Sequence, residues 1–198
     1  GAYEMHGYGE TVTLLGFTSK WWHVQIREYT GFVAADGSAL DQRTGNYYDG
    51  YATAQVHNPI STDRLNLRAE KTANSASLGK YYNGCTVAIV QKGNDGWSRV
   101  RIGNLEGYMK NQFLDFNAPK DQQTELLPKV TIRNPNGQGA NLRRQASTRV
   151  NAVALYPNGT QVQVLGIAGD WCHVLIDGEI GFMMTQYLVP RLSFESTR

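Results

Sequence analysis

Cysteine is nearly absent: Cys85 and Cys172 are the only two in 198 residues. Two cysteines cannot build a disulfide framework, so the chain is not a small cross-linked scaffold. One bridge is arithmetically possible; two unpaired, buried small hydrophobes are the favoured reading. An excess of one charge is missing too, with 19 Lys and Arg against 17 Asp and Glu and a net charge of +2. Nucleic-acid binders usually carry a basic stripe, so no nucleic-acid partner is expected. Charged residues make up 18% of the chain, below the roughly 25% of an average soluble domain. No apolar run approaches the ~20 residues of a membrane helix, so no membrane span is expected. No signal peptide is visible. Gly1 resembles the residue left by a protease cut, so an export signal is expected to have been removed.

The usual marks of catalysis are also lacking. There is no Gly-x-Ser-x-Gly, no Walker-type loop and no Gly-x-Gly-x-x-Gly after a strand. The four histidines, His6, His23, His57 and His173, show no metal-ligand spacing. Cys172-His173 invites a thiol-protease reading, but neighbours on a strand point to opposite faces, and Cys172 falls on the core face where a thiol is inert. The expectation is a chain that is not an enzyme, with no catalytic residues, no metal and no cofactor.

What is present is a repeat. One segment reads Leu65-Asn66-Leu67-Arg68, Tyr81-Tyr82-Asn83-Gly84-Cys85-Thr86-Val87, Gly96-Trp97-Ser98-Arg99-Val100, Gly107-Tyr108 and Phe113-Leu114. A second reads Ala140-Asn141-Leu142-Arg143, Tyr156-Pro157-Asn158-Gly159-Thr160-Gln161-Val162, Asp170-Trp171-Cys172-His173-Val174, Gly181-Phe182 and Tyr187-Leu188. The offset is 75 up to the glycine turn and 74 from the tryptophan onward. Such a one-residue indel in a loop is what a structural repeat tolerates. A partial third copy lies at an offset of 150: Gly9, Val12, Leu14 and Gly16 match Gly159, Val162, Val164 and Gly166, and Trp21 through Ile26 matches Trp171 through Ile176. Ala54 through Pro59 parallels Val130 through Pro135 and marks each full module's first strand, ended by an Asn-Pro turn. The modules are placed at 1–45 (partial), 53–116 and 129–190, joined by connectors at 41–52 and 116–128.

Within each module the period is two. Val162 and Val164 alternate with Gln161 and Gln163, and Val100 and Ile102 with Arg99 and Arg101. Short alternating strands with Asn-Gly and Asp-Gly signals between them indicate small all-β barrels or sandwiches. A module of about 60 residues buries little surface and is marginal alone, so packing between modules would help.

The ordered set Asn-Leu-Arg, Asn-Gly-x-x-Val, Gly/Asp-Trp-x-x-Val, Gly-aromatic and aromatic-Leu resembles the bacterial SH3 domain. The likeness covers 55–114 and 131–188 well and 7–40 in part. It implies an all-β fold of tandem small SH3-like β-barrels. The first module departs from the pattern, lacking Asn-Leu-Arg and a clear aromatic-Leu ending. It must be completed by residues outside the chain or by 41–52, or stand as an open half-barrel.

On the strand after the tryptophan, one face carries Ser98, Val100, Ile102 and Cys172, Val174, Ile176, which are small or apolar and so form the core. The opposite face carries Trp21, His23, Gln25; Trp97, Arg99, Arg101; and Trp171, His173, Leu175. Only tryptophan is retained there in all three copies. Two readings stand: an aromatic shelf for a ligand, offering roughly 150–250 Å² of contact per ring, or a ring folded over the barrel mouth or sealing an inter-module contact. The resemblance implies the shelf, with Tyr187 as a second aromatic wall and Phe113 its counterpart. Tyr108 and Phe182 read as core ahead of groove rim, and Tyr81 and Tyr156 as core. The second module holds eight basic residues against five acidic ones, and Arg99 and Arg101 share the Trp97 face. That face either attracts an acidic partner or is a solvated strand surface.

The candidate ligand-binding set is therefore Trp21, Trp97, Arg99, Arg101, Trp171 and Tyr187. The resemblance implies a secreted or cell-envelope protein that binds peptidoglycan peptides without catalysis. The alternative is an interaction scaffold whose barrels pack on each other or on an envelope protein.

Overall fold

The structure, a computed structural model, describes residues 51–118 and 126–192 with their side chains, and the backbone of four strands between residues 13 and 41. Among the described residues all regular structure is strand apart from two single 3-10 turns, Asn111–Phe113 and Thr185–Tyr187, so the all-β expectation holds. No helix among the described residues is long and apolar enough to cross a membrane.

The two full modules have the same connectivity. In the second, β5 (Ala52–Val56), β6 (Leu65–Arg68), β7 (Ser77–Tyr81), β8 (Thr86–Gln91), β9 (Trp97–Ile102), β10 (Leu105–Lys110) and β11 (Leu114–Asp115) pair antiparallel. The order runs β11-β5-β8-β9-β10-β6-β7. In the third, β12 (Lys129–Ile132), β13 (Ala140–Arg143), β14 (Ala152–Tyr156), β15 (Gln161–Ala168), β16 (Trp171–Ile176), β17 (Glu179–Met184) and β18 (Leu188–Val189) repeat it as β18-β12-β15-β16-β17-β13-β14. The first module contributes β1 (Thr13–Phe17), β2 (Trp21–Ile26), β3 (Tyr29–Ala34) and β4 (Leu40–Asp41), paired in sequence.

Alternation sorts the core as the period of two requires. Leu67, Val100, Ile102 and Met109 are fully buried in the second module, as are Leu142, Val174, Ile176 and Met183 in the third. Tyr81 and Tyr156 are core, and Cys85 and Cys172 are free and buried. Phe182 is buried while Tyr108 is half-exposed, so the two equivalents part company. The Gly-aromatic motif has a steric cause. A Cβ at Gly107 would lie 2.6 Å from the Arg68 carbonyl oxygen, and one at Gly181 2.7 Å from that of Arg143, where β10 crosses β6 and β17 crosses β13.

Modules also join edge to edge. β15 pairs with β7, Gly166 opposite Tyr81 and Ile167 opposite Lys80, and the Tyr82 amide donates to the Leu165 carbonyl at 3.0 Å. β1 pairs with β14, Phe17 opposite Leu155. Phe17 and Leu155 are the repeat equivalents of Ile167 and Lys80, so one docking mode is used twice and the third module carries both seams.

His173 lies on the variable outer face of its strand, as alternation sets it, yet it is 1% exposed. It faces outward from its own module, and the second module covers it: Tyr81 and the turn at Gly103 close over its ring.

Candidate functional site

Each full module carries a groove, and the two grooves occupy equivalent places. In the second module a volume of about 360 Å³ opens between the Asn58–Arg64 loop, β6, the middle of β7 and the 3-10 turn. Asn58, Asn66, Arg68, Lys80, Trp97, Lys110 and Phe113 line it. In the third module a volume of about 660 Å³ is lined by Asn134, Asn141, Arg143, Leu155, Met184 and Tyr187, each the equivalent of a residue in the first groove.

The same polar devices hold both. Asn83 accepts from the Asn58 amide at 2.8 Å and donates to the Asn58 carbonyl at 3.0 Å. Asn158 does the same to Asn134, at 2.7 and 2.9 Å. These reciprocal bonds fix the loop that forms one groove wall. Arg68 donates to the Ser75 carbonyl at 2.6 Å, and Arg143 donates to that of Val150, pinning the loop on the other side. Asn111 ties the 3-10 turn to the loop before Trp97, donating from its amide to the Gly96 carbonyl at 2.9 Å and from its side chain to that of Gly93 at 2.8 Å.

The structure distributes the expected site residues unevenly. Trp97 is half-buried on the first groove, paired across the strands with Lys110, whose ammonium lies 5.6 Å from the indole centroid. Tyr187 and Phe113 line their respective grooves. Trp171 is half-buried and pairs with Met184, but it does not line the second groove. Trp21 opens β2, and its side chain lies outside the described residues. Arg99 and Arg101 line neither groove: both engage Glu106, and Arg101 also donates to the Tyr51 hydroxyl at 3.1 Å. The hydrogen bond from Arg101 holds the Glu106 carboxyl below its ordinary range.

Groove residues outside the predicted set include Asn58, Arg64, Asn66, Arg68, Lys80 and Lys110, with their counterparts in the third module. The signal for two of these positions was in the repeat itself. Asn-Leu-Arg recurs although only its leucine is core, so the retained Asn and Arg answer to something other than packing.

Cys172 and His173 are both buried, and burial pushes the Cys172 thiol up to about 12 and the His173 imidazole down to about 3. No group of three or more His, Cys, Asp or Glu among the described residues is placed to hold a metal.

A family model described as the bacterial SH3 domain matches residues 63–115 and 138–189. A Bacillus subtilis (strain 168) protein, YrvJ, whose name assigns it provisionally to the N-acetylmuramoyl-L-alanine amidases, is 22% identical over 189 residues. The alignment covers 89% of this chain but only 36% of that protein. Among solved structures, NlpC2 of Trichomonas vaginalis matches 71% of this chain and 48% of its own at 19% identity and a TM-score of 0.35. NlpC1 of the same organism matches 74% and 48% at 18% identity and the same score. Likeness of that degree is too slight to argue from.

The expectation that the chain is not an enzyme is corrected by the curated relative, an amidase by name, with which it aligns along most of its length. The error has a physical source. Sequence motifs for a nucleophile and its base report only on the residues that carry them, and the chain spans about a third of its relative's length.

Proposed function

This chain belongs to the bacterial SH3 domain family, and on that premise we propose that it acts at the bacterial cell wall, in the service of wall hydrolysis, with its modules gripping wall peptide. The amidase name of the curated relative supports the setting. The grip rests on one observation: two modules keep the same groove, built by the same Asn clamp, the same Arg strut and an aromatic wall at Phe113 or Tyr187. A peptide laid in such a groove meets a flat ring on one side and fixed amides on the other, a mode that costs little side-chain entropy. Two modules joined edge to edge along β7 and β15 carry both grooves in one chain, so weak single contacts combine through effective concentration. An envelope or extracellular location follows from this role.

The packing of modules on each other is one half of the scaffold alternative, and the β7–β15 seam favours it. The other half, docking on a partner protein, is separated from wall binding by experiment. Wild type is expected to sediment with purified peptidoglycan, and a Trp97→Ala/Tyr187→Ala double variant with an unchanged circular dichroism spectrum is expected to stay in solution. Equal retention of the two would remove the groove from the account. Release of muropeptides, with the chain added to the same sacculi, reads the hydrolytic side.

A further inference from the structure

The two grooves have one shape and two electrostatic characters. Arg64 of the first is matched by Gly139 of the second, Lys80 by Leu155 and Lys110 by Met184. Three cationic positions become apolar or glycine, all of them groove lining, while the Asn and Arg that build the groove are kept. The first groove thus carries four cations against one carboxylate, Asp63; the second carries Arg143 and no carboxylate. Asp63 is exposed, and Lys80 and Lys110 make no ion pair among the described residues. Arg64 lies over the Tyr82 ring at 4.0 Å and donates to the Thr62 carbonyl at 2.7 Å, so it supplies a fixed field, whereas the two lysines have no carboxylate partner among the described residues, Lys110 resting beside the Trp97 ring that lines the same groove.

We infer that the grooves divide the ligand by charge. The second module takes a carboxylate-bearing peptide segment and the third an uncharged one. This rests on the reading of the grooves as peptide sites and deepens it. The chemistry follows from desolvation. A carboxylate entering a half-buried groove loses water and must find cations to replace it, which Lys80 and Lys110 provide. The Leu155 and Met184 positions offer it nothing, but they cover the methylenes and methyl groups of a neutral chain. Charge in a ligand therefore selects the groove, while backbone hydrogen bonding is common to both.

The test uses the full chain, labelled with ¹⁵N, and two synthetic peptides of equal length. One ends in free carboxylates, and the other has every carboxylate converted to the amide. The acidic peptide is expected to shift amides around Lys110 and Phe113, with an affinity falling as salt rises. The amidated peptide is expected to shift those around Met184 and Tyr187, with little salt dependence. Lys110→Met should weaken the acidic peptide about three- to tenfold and flatten its salt dependence, and Met184→Lys should let the third module capture it. Both exchanges lie at strand ends where the counterpart residue already exists in the sister module, so folding is preserved. Equal shifts at both grooves with either peptide overturn the division while leaving peptide binding intact. No shift at either groove overturns both.

Discussion

The Tyr81 hydroxyl of the second module lies 2.9 Å from Nδ1 of His173 in the third, in a hydrogen bond across the seam. His173 is stacked on Phe182 with centroids 4.1 Å apart, and its Nε2 has no hydrogen-bond partner among the described residues. The imidazole is held neutral by burial, its pKa pushed down to about 3. One ring nitrogen thus links two modules whose cores are each small.

The linkage makes stability depend on acid in a definite direction. The unfolded chain binds a proton at His173 below about pH 6.5, and the folded chain does not until about pH 3. Stability from this residue is whole above pH 6.5 and falls as pH drops toward 3, by at most about 1.4 kcal/mol per pH unit. Urea midpoints measured from pH 7 to 4.5 should show this slope in wild type and lose most of it in His173→Phe. A slope that survives the substitution would assign it to other groups.

Gly166 is where β15 meets β7. A Cβ there would stand 2.6 Å from the Lys80 carbonyl oxygen and 2.7 Å from Tyr81 Cδ1. Gly166→Val is expected to force the seam apart at a cost of about 1–3 kcal/mol. The opened seam should admit water to His173, whose proton resonance should then titrate nearer the ordinary pH. Small-angle scattering should report a longer particle.

The Asn clamp should grade by chemistry. Asn83→Ala removes both bonds to the Asn58 backbone and is expected to cost about 1–3 kcal/mol. Asn83→Asp keeps the acceptor for the Asn58 amide and loses only the donor, so its loss should be smaller. Equal thermal shifts for the two would mean that the accepted bond contributes little.

Cys85 and Cys172 should be silent in the native chain. Burial drives both thiols up, leaving almost no thiolate at neutral pH. An aromatic disulfide reagent should label neither until denaturant is added, and labelling should then follow the unfolding transition. Rapid native labelling of either would show that its module opens locally.

How much was legible depends on which force set each feature. Burial of Val100, Ile102, Val174 and Ile176 could be read directly, because alternation along a strand is a local consequence of one face meeting a core. Tyr81 and Tyr156 were legible through the resemblance, because the family carries an apolar residue at their positions. Trp97 was singled out by its retention on the outer face, and it does line a groove; Trp171, its equivalent, does not. The lysines of the groove were invisible as a set. Lys80 and Lys110 lie on different strands and converge only when β7 and β10 flank the same opening. Arg99 and Arg101 share the Trp97 face in the alternation, but both turn to the one carboxylate of Glu106 on the neighbouring strand and line neither groove.

By itself the sequence determined the module: its strands, its core face, its glycine crossings and its repetition, all set by interactions within a few tens of residues. Only the tertiary structure decided that the third module sits at both seams, and that His173 is interior although it points away from its own core. The reason is that a strand edge offers the same unpaired amides and carbonyls whatever its side chains. Which edges meet is settled by fit, a missing Cβ at Gly166 against the Tyr81 ring, and that fit exists only once both modules have folded.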